Sequence, residues 1–470
     1  MDDSALPTPY ALLRDRTVRI ALLSALIFRV ALGLIPQLRH YTRDSSSYLA
    51  PGVNFFLHGV YAQVCEPRCI PTLFRTPGYP IFVGLVVGAG KLPLVVVYVL
   101  QSVGDTITTL LVAGIGWAVG SRRVGVVSAF VYALNPFAAV FAGQIMTESM
   151  ATFVLMSIVY ALVLMRPLRS IAPVFRWIGL GAMFGLLTLV RPTFALVPAI
   201  FALTLFEPSH WRQQVRGWAL AAAGCALVVA PWVGRNWVVT RDSAADDRFS
   251  PLGTFFSSTY RDLLKPGLVR WHQSFEEPFI WDRPSEPPVV ATYFLPGERE
   301  RVGNMFGELR ASSMVVTPEL DAKFEQLASE RMAAHPFRTR FLPPVSRALR
   351  LWITPRLSSF GIESARLSSF GGRVLFLVAT VYNAVLALIA FATGFGLIRS
   401  ATIRLLLVAP LYLSVLHPFV MWGNQSRYVV PSFPQISILA VLGAFLLVER
   451  IHKRRSTVAR ASAAGRLETP

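Results

Sequence analysis

Long apolar windows recur from one end of the chain to the other, separated by polar stretches in which arginine is frequent. Windows at 18–36, 92–119, 124–142, 146–165, 177–190, 193–206, 218–239, 374–398, 405–420 and 429–448 are each read as one crossing, since roughly 20 apolar residues at helical rise span a hydrocarbon layer. Lipid offers no partner to backbone N–H and C=O groups, so these windows predict α-helices. The expected fold is an all-α polytopic membrane protein with about ten transmembrane helices. A shorter, glycine-rich run at 79–90 predicts a helix lying at the interface.

The arginines order the segments. Arg14, Arg16 and Arg19 precede the first window, and Arg122, Arg123, Arg166, Arg169, Arg176, Arg212, Arg216, Arg399 and Arg404 fill alternate gaps. The positive-inside rule puts these gaps, both termini and the tail with Arg450, Lys453, Arg454 and Arg455 in the cytoplasm. The polar loop 37–91 and the region 240–371 then lie outside. Four parts follow: an N-terminal transmembrane module 1–239 with its loop, the external region 240–371, C-terminal helices 372–449, and a basic tail 450–470. A cleavable signal peptide is not expected, because the first window lacks a small-residue cleavage site. The localisation implied is a multi-pass cell membrane protein, with bacterial plasma membrane as the reading.

Composition removes the soluble alternative: 54% of residues are hydrophobic and 15% charged, and mean hydropathy is +0.52. The formal charge of +19 raises nucleic acid as a partner. The arginines are spread through the gaps instead of forming a basic stripe, so anionic lipid headgroups explain the charge better.

Region 240–371 is too long for a simple turn. Thr317-Pro318 predicts a helix start, with Leu320, Phe324, Leu327 and Met332 on one face. Phe337, Phe341, Val345, Leu349 and Trp352 repeat that spacing beside Arg338, Arg340, Arg347 and Arg350. These helices either cap a small external domain or lie on the membrane with their arginines at lipid phosphates.

Candidate chemistry gathers at the outer ends of the windows. Arg43-Asp44 and Tyr48 follow the first window, Arg75-Thr76-Pro77-Gly78-Tyr79-Pro80 comes later in the same loop, and Glu148 lies in the turn before the fourth. Arg191, Arg235, Arg427 and Tyr428 occupy further outer ends. A guanidinium binds phosphate bidentately, which an ammonium does not; interface anchoring is the other reading for each arginine. Asp44 is read as a general base or as a helix cap. Glu148 is a second carboxylate or a charge complementing a helix N-terminus. Asp105, inside the second window, is a hydrogen-bonded structural group or an ion-coupling group. His417-Pro418 reads as the end of the ninth window, with acceptor contact as the other option. Cys65 and Cys69 share the external loop and are read as a disulfide closing Glu66-Pro67-Arg68, in preference to a metal site. Cys225 is a packing residue, and the sequon Asn424-Gln425-Ser426 reads as unused.

The ordered set Arg43-Asp44 with Tyr48, Arg75-Thr76-Pro77-Gly78-Tyr79-Pro80, Met146-Thr147-Glu148-Ser149, Val190-Arg191-Pro192-Thr193, Pro231-Trp232-Val233-Gly234-Arg235-Asn236 and Ser426-Arg427-Tyr428-Val429-Val430-Pro431 resembles the dolichyl-phosphate-mannose-protein mannosyltransferase-like family. That group is similar to the lipid A aminoarabinose transferases, of type C glycosyltransferase fold. The resemblance implies transfer of a sugar from a polyprenyl-phosphate donor to a glycan, lipid or protein acceptor on the outer face, with inversion. It implies catalytic roles for Asp44 and Glu148, and substrate contacts from Arg43, Tyr48, Arg75, Tyr79, Arg191, Arg235, Arg427 and Tyr428. Many relatives carry a second acid beside the first aspartate, whereas Ser45-Ser46-Ser47 stands here. A divalent metal is therefore compatible with the family but not demanded by the residues. A lipid-linked oligosaccharide flippase or transporter is the alternative, and a non-catalytic scaffold a third; the absence of an internal repeat favours the enzyme.

Overall fold

The computed structural model describes residues 7–35, 43–73, 75–165, 174–242, 265–275, 293–312, 315–354, 369–420 and 425–465. Arg166, Arg169 and Asn424 lie outside the described residues, as does the side chain of Arg43. Among the described residues the secondary structure is helical, with one isolated bridge between Ala62 and Pro71. Short α1 (Pro9–Arg14) leads into α2 (Arg16–Leu34). Asp15 caps the start of α2, its Oδ1 accepting from Thr17 N at 2.9 Å. Helices α3 (Arg43–His58) and α4 (Gly78–Val86) occupy the first polar loop, and α5 (Val95–Val119) returns through the apolar layer.

The third window is one uninterrupted crossing in the expectation, but the structure breaks it into α6 (Arg122–Ala133) and a short second limb, α7 (Pro136–Ala139) with a tight turn to Gly143. The limbs meet at 55°. Asn135-Pro136 is the cause. A residue before proline disfavours helical backbone, Pro136 has no N–H for the Tyr132 carbonyl, and Asn135 Oδ1 instead accepts from Phe137 N at 2.9 Å.

Helices α8 (Glu148–Leu164), α9 (Val174–Val190), α10 (Val197–Thr204) and the 32-residue α11 (Trp211–Asp242) follow. The central polar region holds α12 (Pro266–Gln273), α13 (Glu298–Ala311), α14 (Pro318–Ala334) and α15 (Leu342–Ile353). The chain ends with α16 (Phe370–Gly396), α17 (Ala401–Val415) and α18 (Phe433–Gly465). All ten apolar windows are thus helical. Among the described residues, however, six helices are long and apolar enough to cross a membrane, seven if the bent pair is one span, and three are shorter. Outward-facing Leu377, Val378 and Leu388 on α16 and Leu23 and Ile27 on α2 are well exposed, as expected for surfaces solvated by lipid.

The central helices have their own core around Trp271, Phe306 and Phe324, distinct from the large core of the bundle. Thr317 caps α14, and Leu320, Phe324, Leu327 and Met332 are buried as their spacing predicts. The second stretch departs from expectation: Phe337, Phe341 and Leu349 are exposed, while Arg347 is 1% exposed. A π-turn over Phe337–Phe341 leads into α15, and the predicted apolar stripe faces outward in that turn and again at Leu349. Arg347 does not reach outward. It donates to the carbonyls of Gln273 at 2.9 Å, Pro418 at 3.2 Å, and Phe275.

Cys65 and Cys69 are joined in a disulfide, and Cys225 is free.

Candidate functional site

The motif around Pro77 is shaped by close backbone approach. A Cβ on Gly78 would stand 2.7 Å from the backbone of Leu189 and Val190, so only glycine lets α4 start against the end of α9. A Cβ on Gly52 would stand 1.9 Å from the Pro80 carbonyl oxygen. These two contacts lock α3, α4 and the end of α9 together and bring Asp44, Arg75 and Arg191 to one end of the bundle.

Asp44 is the centre of the polar cluster found there. Arg75 Nη2 donates to its Oδ1 at 2.6 Å, and Arg427 Nη1 donates to its Oδ2 at 2.8 Å. Ser47 accepts from Arg75 Nε at 2.9 Å and steers the guanidinium. The Tyr48 ring lies 4.4 Å beneath the same group. Burial pushes the Asp44 carboxyl up, but Arg427 and Arg75 outweigh it and hold the group below its ordinary value. Burial also raises the Tyr48 phenol, with Arg75 opposing and Asp44 and Glu148 reinforcing.

Glu148 opens α8 at 2% exposure. Arg191 Nη1 stands 3.6 Å from its Oε1, an ion pair too long for a hydrogen bond. Glu148 Oε2 is buried without a hydrogen-bond partner. The Arg191 and Arg427 guanidiniums lie 5.8 Å and 5.3 Å from the Tyr428 ring centre, which joins this pair to the Asp44 group.

Two expected contacts are placed elsewhere. Tyr79 is fully buried, donates to Gln101 Oε1 at 2.6 Å, and meets Tyr48 of the cluster edge-on at 5.2 Å. It is an internal strut. Arg235 donates to the carbonyls of Thr72 at 2.9 Å and Tyr61 at 3.1 Å, and lies over the Trp232 and Tyr61 rings. It pins the disulfide-bearing loop to α11 one residue layer behind Arg75, whose carbonyl accepts from Tyr61 OH at 2.9 Å.

Beneath the cluster, α5 presents Gln101 and Asp105 one helical turn apart. Gln101 Nε2 donates to the carbonyls of Ala142 at 3.0 Å and Gln144 at 2.9 Å, on the second limb of the broken helix. Asp105 pairs with fully buried Arg29 and accepts from Tyr132 OH. Arg29 Nη1 in turn donates to Ala133 O at 2.7 Å, a carbonyl at the end of α6. One face of α5 thus supports both limbs of the break that leads into Glu148. Arg29 had no place in the expectations, although a single arginine within an apolar window is itself a signal. Among the described residues no group of three His, Cys, Asp or Glu side chains is arranged to hold a metal.

No family model matches the chain, and no curated protein matches it significantly. Solved structures similar to it include the apo archaeal oligosaccharyltransferase of Archaeoglobus fulgidus, at 14% identity over 94% of this chain and 52% of that one, TM-score 0.48. The complex of Archaeoglobus fulgidus AglB with an inhibitory peptide and a dolichol-phosphate gives 14% identity over the same shares, TM-score 0.47. ArnT from Cupriavidus metallidurans, bound to undecaprenyl phosphate, gives 15% identity over 93% of this chain and 77% of that one, TM-score 0.38. The chain spans about half the length of the archaeal enzyme.

Proposed function

We propose that the chain is a glycosyltransferase moving a sugar from a polyprenyl-phosphate donor to an acceptor on the external face of the membrane, with inversion. The observation that carries this reading is the double grip of Arg75 and Arg427 on Asp44. Among the described side chains of the cluster, Arg75, Arg191 and Arg427 face Asp44 and Glu148, which leaves one positive charge in excess. A phosphodiester carries one negative charge and would balance it.

The phosphate has to compete with Asp44 for the two guanidiniums. As it takes their hydrogen bonds, the carboxylate is released and regains the basicity that the arginines suppress. Asp44 then accepts the proton from the acceptor hydroxyl or amine as that atom bonds to the anomeric carbon. The bond from that carbon to the phosphate oxygen breaks on the opposite face, and polyprenyl phosphate leaves in the arginine grip. Glu148, with an unpartnered Oε2 in the same cluster, is the second carboxylate available for this step. The ion-coupling group that a transporter would need, Asp105, is committed to Arg29 and Tyr132.

The direct test uses purified protein, a radiolabelled polyprenyl-phosphate sugar and no ion gradient. Cleavage or transfer is expected, with Arg427→Lys and Arg75→Lys weakening donor use by about tenfold each, because an ammonium lacks the planar fork. Movement of intact donor without cleavage would favour the transporter, and unchanged donor affinity in both variants would reduce the arginines to anchors. Orientation is checked separately in a background lacking the three cysteines: Lys323→Cys should react with an impermeant thiol reagent in intact cells, and Ser209→Cys only after lysis. The reverse pattern would turn the site to the cytoplasm.

A further inference from the structure

α17 does not end as a regular helix but widens into a π-turn at Leu416–Val420, with Pro418 inside it. The turn carries His417 inward to 2% exposure. Its imidazole stacks flat on the Tyr428 ring, 4.3 Å between centres and 6° from parallel. Tyr428 is the ring that both the Arg191 and Arg427 guanidiniums flank. Arg347 fixes the turn from behind, donating to the Pro418 carbonyl at 3.2 Å. His417 is therefore held in position by neighbours that leave its polar edge unused: Nε2 is buried and makes no hydrogen bond. A buried polar nitrogen without a partner is uncommon, and each instance calls for an explanation. Here the imidazole is placed beside two guanidiniums that are themselves only partly satisfied, since Arg191 Nη1 and Arg427 Nε are also buried without hydrogen-bond partners, the former keeping only its long ion pair with Glu148. Three buried nitrogens without hydrogen bonds around one aromatic ring describe a preformed receptor for oxygens of an anion.

We propose that His417 is a binding residue for the donor phosphate, its Nε2–H donating to a phosphate oxygen alongside Arg191 and Arg427. The proposal rests on the reading of the cluster as a polyprenyl-phosphate site. The Tyr428 stack sets the plane of the imidazole, so the N–H direction is fixed before the ligand arrives and little rotamer freedom is lost on binding.

The experiment measures binding of a polyprenyl phosphate without sugar to the purified full chain and to two variants, His417→Phe and His417→Gln. Phenylalanine keeps a ring to stack on Tyr428 but removes Nε2, and glutamine restores an N–H donor at similar reach. His417→Phe is expected to bind about tenfold more weakly, as for loss of one charge-assisted hydrogen bond, with the melting temperature of the ligand-free protein little changed. His417→Gln is expected to recover much of the loss. Equal binding by the wild-type chain and His417→Phe would overturn the role of His417 while leaving the phosphate site intact. A wild-type chain that binds no polyprenyl phosphate would remove the functional reading itself, and His417 with it. If His417→Phe melts early and His417→Gln binds as weakly at full stability, the residue serves packing and the proposal fails.

Discussion

Asp44→Asn is expected to slow glycosyl transfer by roughly 10² to 10⁴ and, in the same protein, to tighten the binding of polyprenyl phosphate. The two effects have one source. In the proposed reaction the carboxylate is the proton acceptor, and in the resting protein it also occupies the two guanidiniums that the phosphate would need, at 2.6 and 2.8 Å. An amide accepts a hydrogen bond from an arginine but carries no charge, so the phosphate displaces it more readily. A residue that merely caps a helix would give neither result, because asparagine caps as well as aspartate. The pH behaviour follows from the lowered pKa of Asp44. A carboxyl held below its unfolded value contributes stability that is complete above about pH 4 and lost as pH falls through the folded pKa, so the pairing persists at neutral pH. Near-normal turnover of Asp44→Asn at normal expression would end its role as base and move the test to Glu148→Gln. Weaker phosphate binding would end the competition between carboxylate and donor.

Arg29→Met is expected to destabilise the folded protein by about 3–5 kcal/mol, read as a large drop in melting temperature in detergent. Asp105 is 1% exposed and would be left without its cationic partner, and the Ala133 carbonyl at the break would lose its donor. The second variant distinguishes charge from packing. Asp105→Asn in the Arg29→Met background removes the stranded acid and still accepts from Tyr132 OH, so much of the loss should return. A double variant as unstable as Arg29→Met alone would show that the guanidinium matters through its carbonyl contact and not through the ion pair.

Hydropathy and arginine spacing are local properties, and they located each apolar helix and the side of the bundle on which Asp44, Arg75, Glu148, Arg191 and Arg427 meet. Pairing is not local. Asp44 and Arg427 are 383 positions apart, and no spacing links them. Arg235 shows the same limit from the other direction: its side of the bundle was legible, but not that carbonyls of Tyr61 and Thr72 would occupy it. The break at Asn135-Pro136 left a readable sign, a proline preceded by a capping residue, which the unbroken apolarity of the window concealed. The inward turn of Arg347 left none, since the carbonyls that hold it belong to Gln273, Phe275 and Pro418, more than seventy positions away in sequence.

The Arg29–Asp105 pair also bears on how the chain enters its membrane. The two residues are 76 positions apart, and α2 is made before α5. Until α5 arrives, α2 carries within its apolar stretch a guanidinium without its carboxylate, which lipid penalises. The polar loop between the two helices, with α3 and α4, is synthesised during the interval in which the arginine waits for its carboxylate, so the ion pair closes only after that loop has been made.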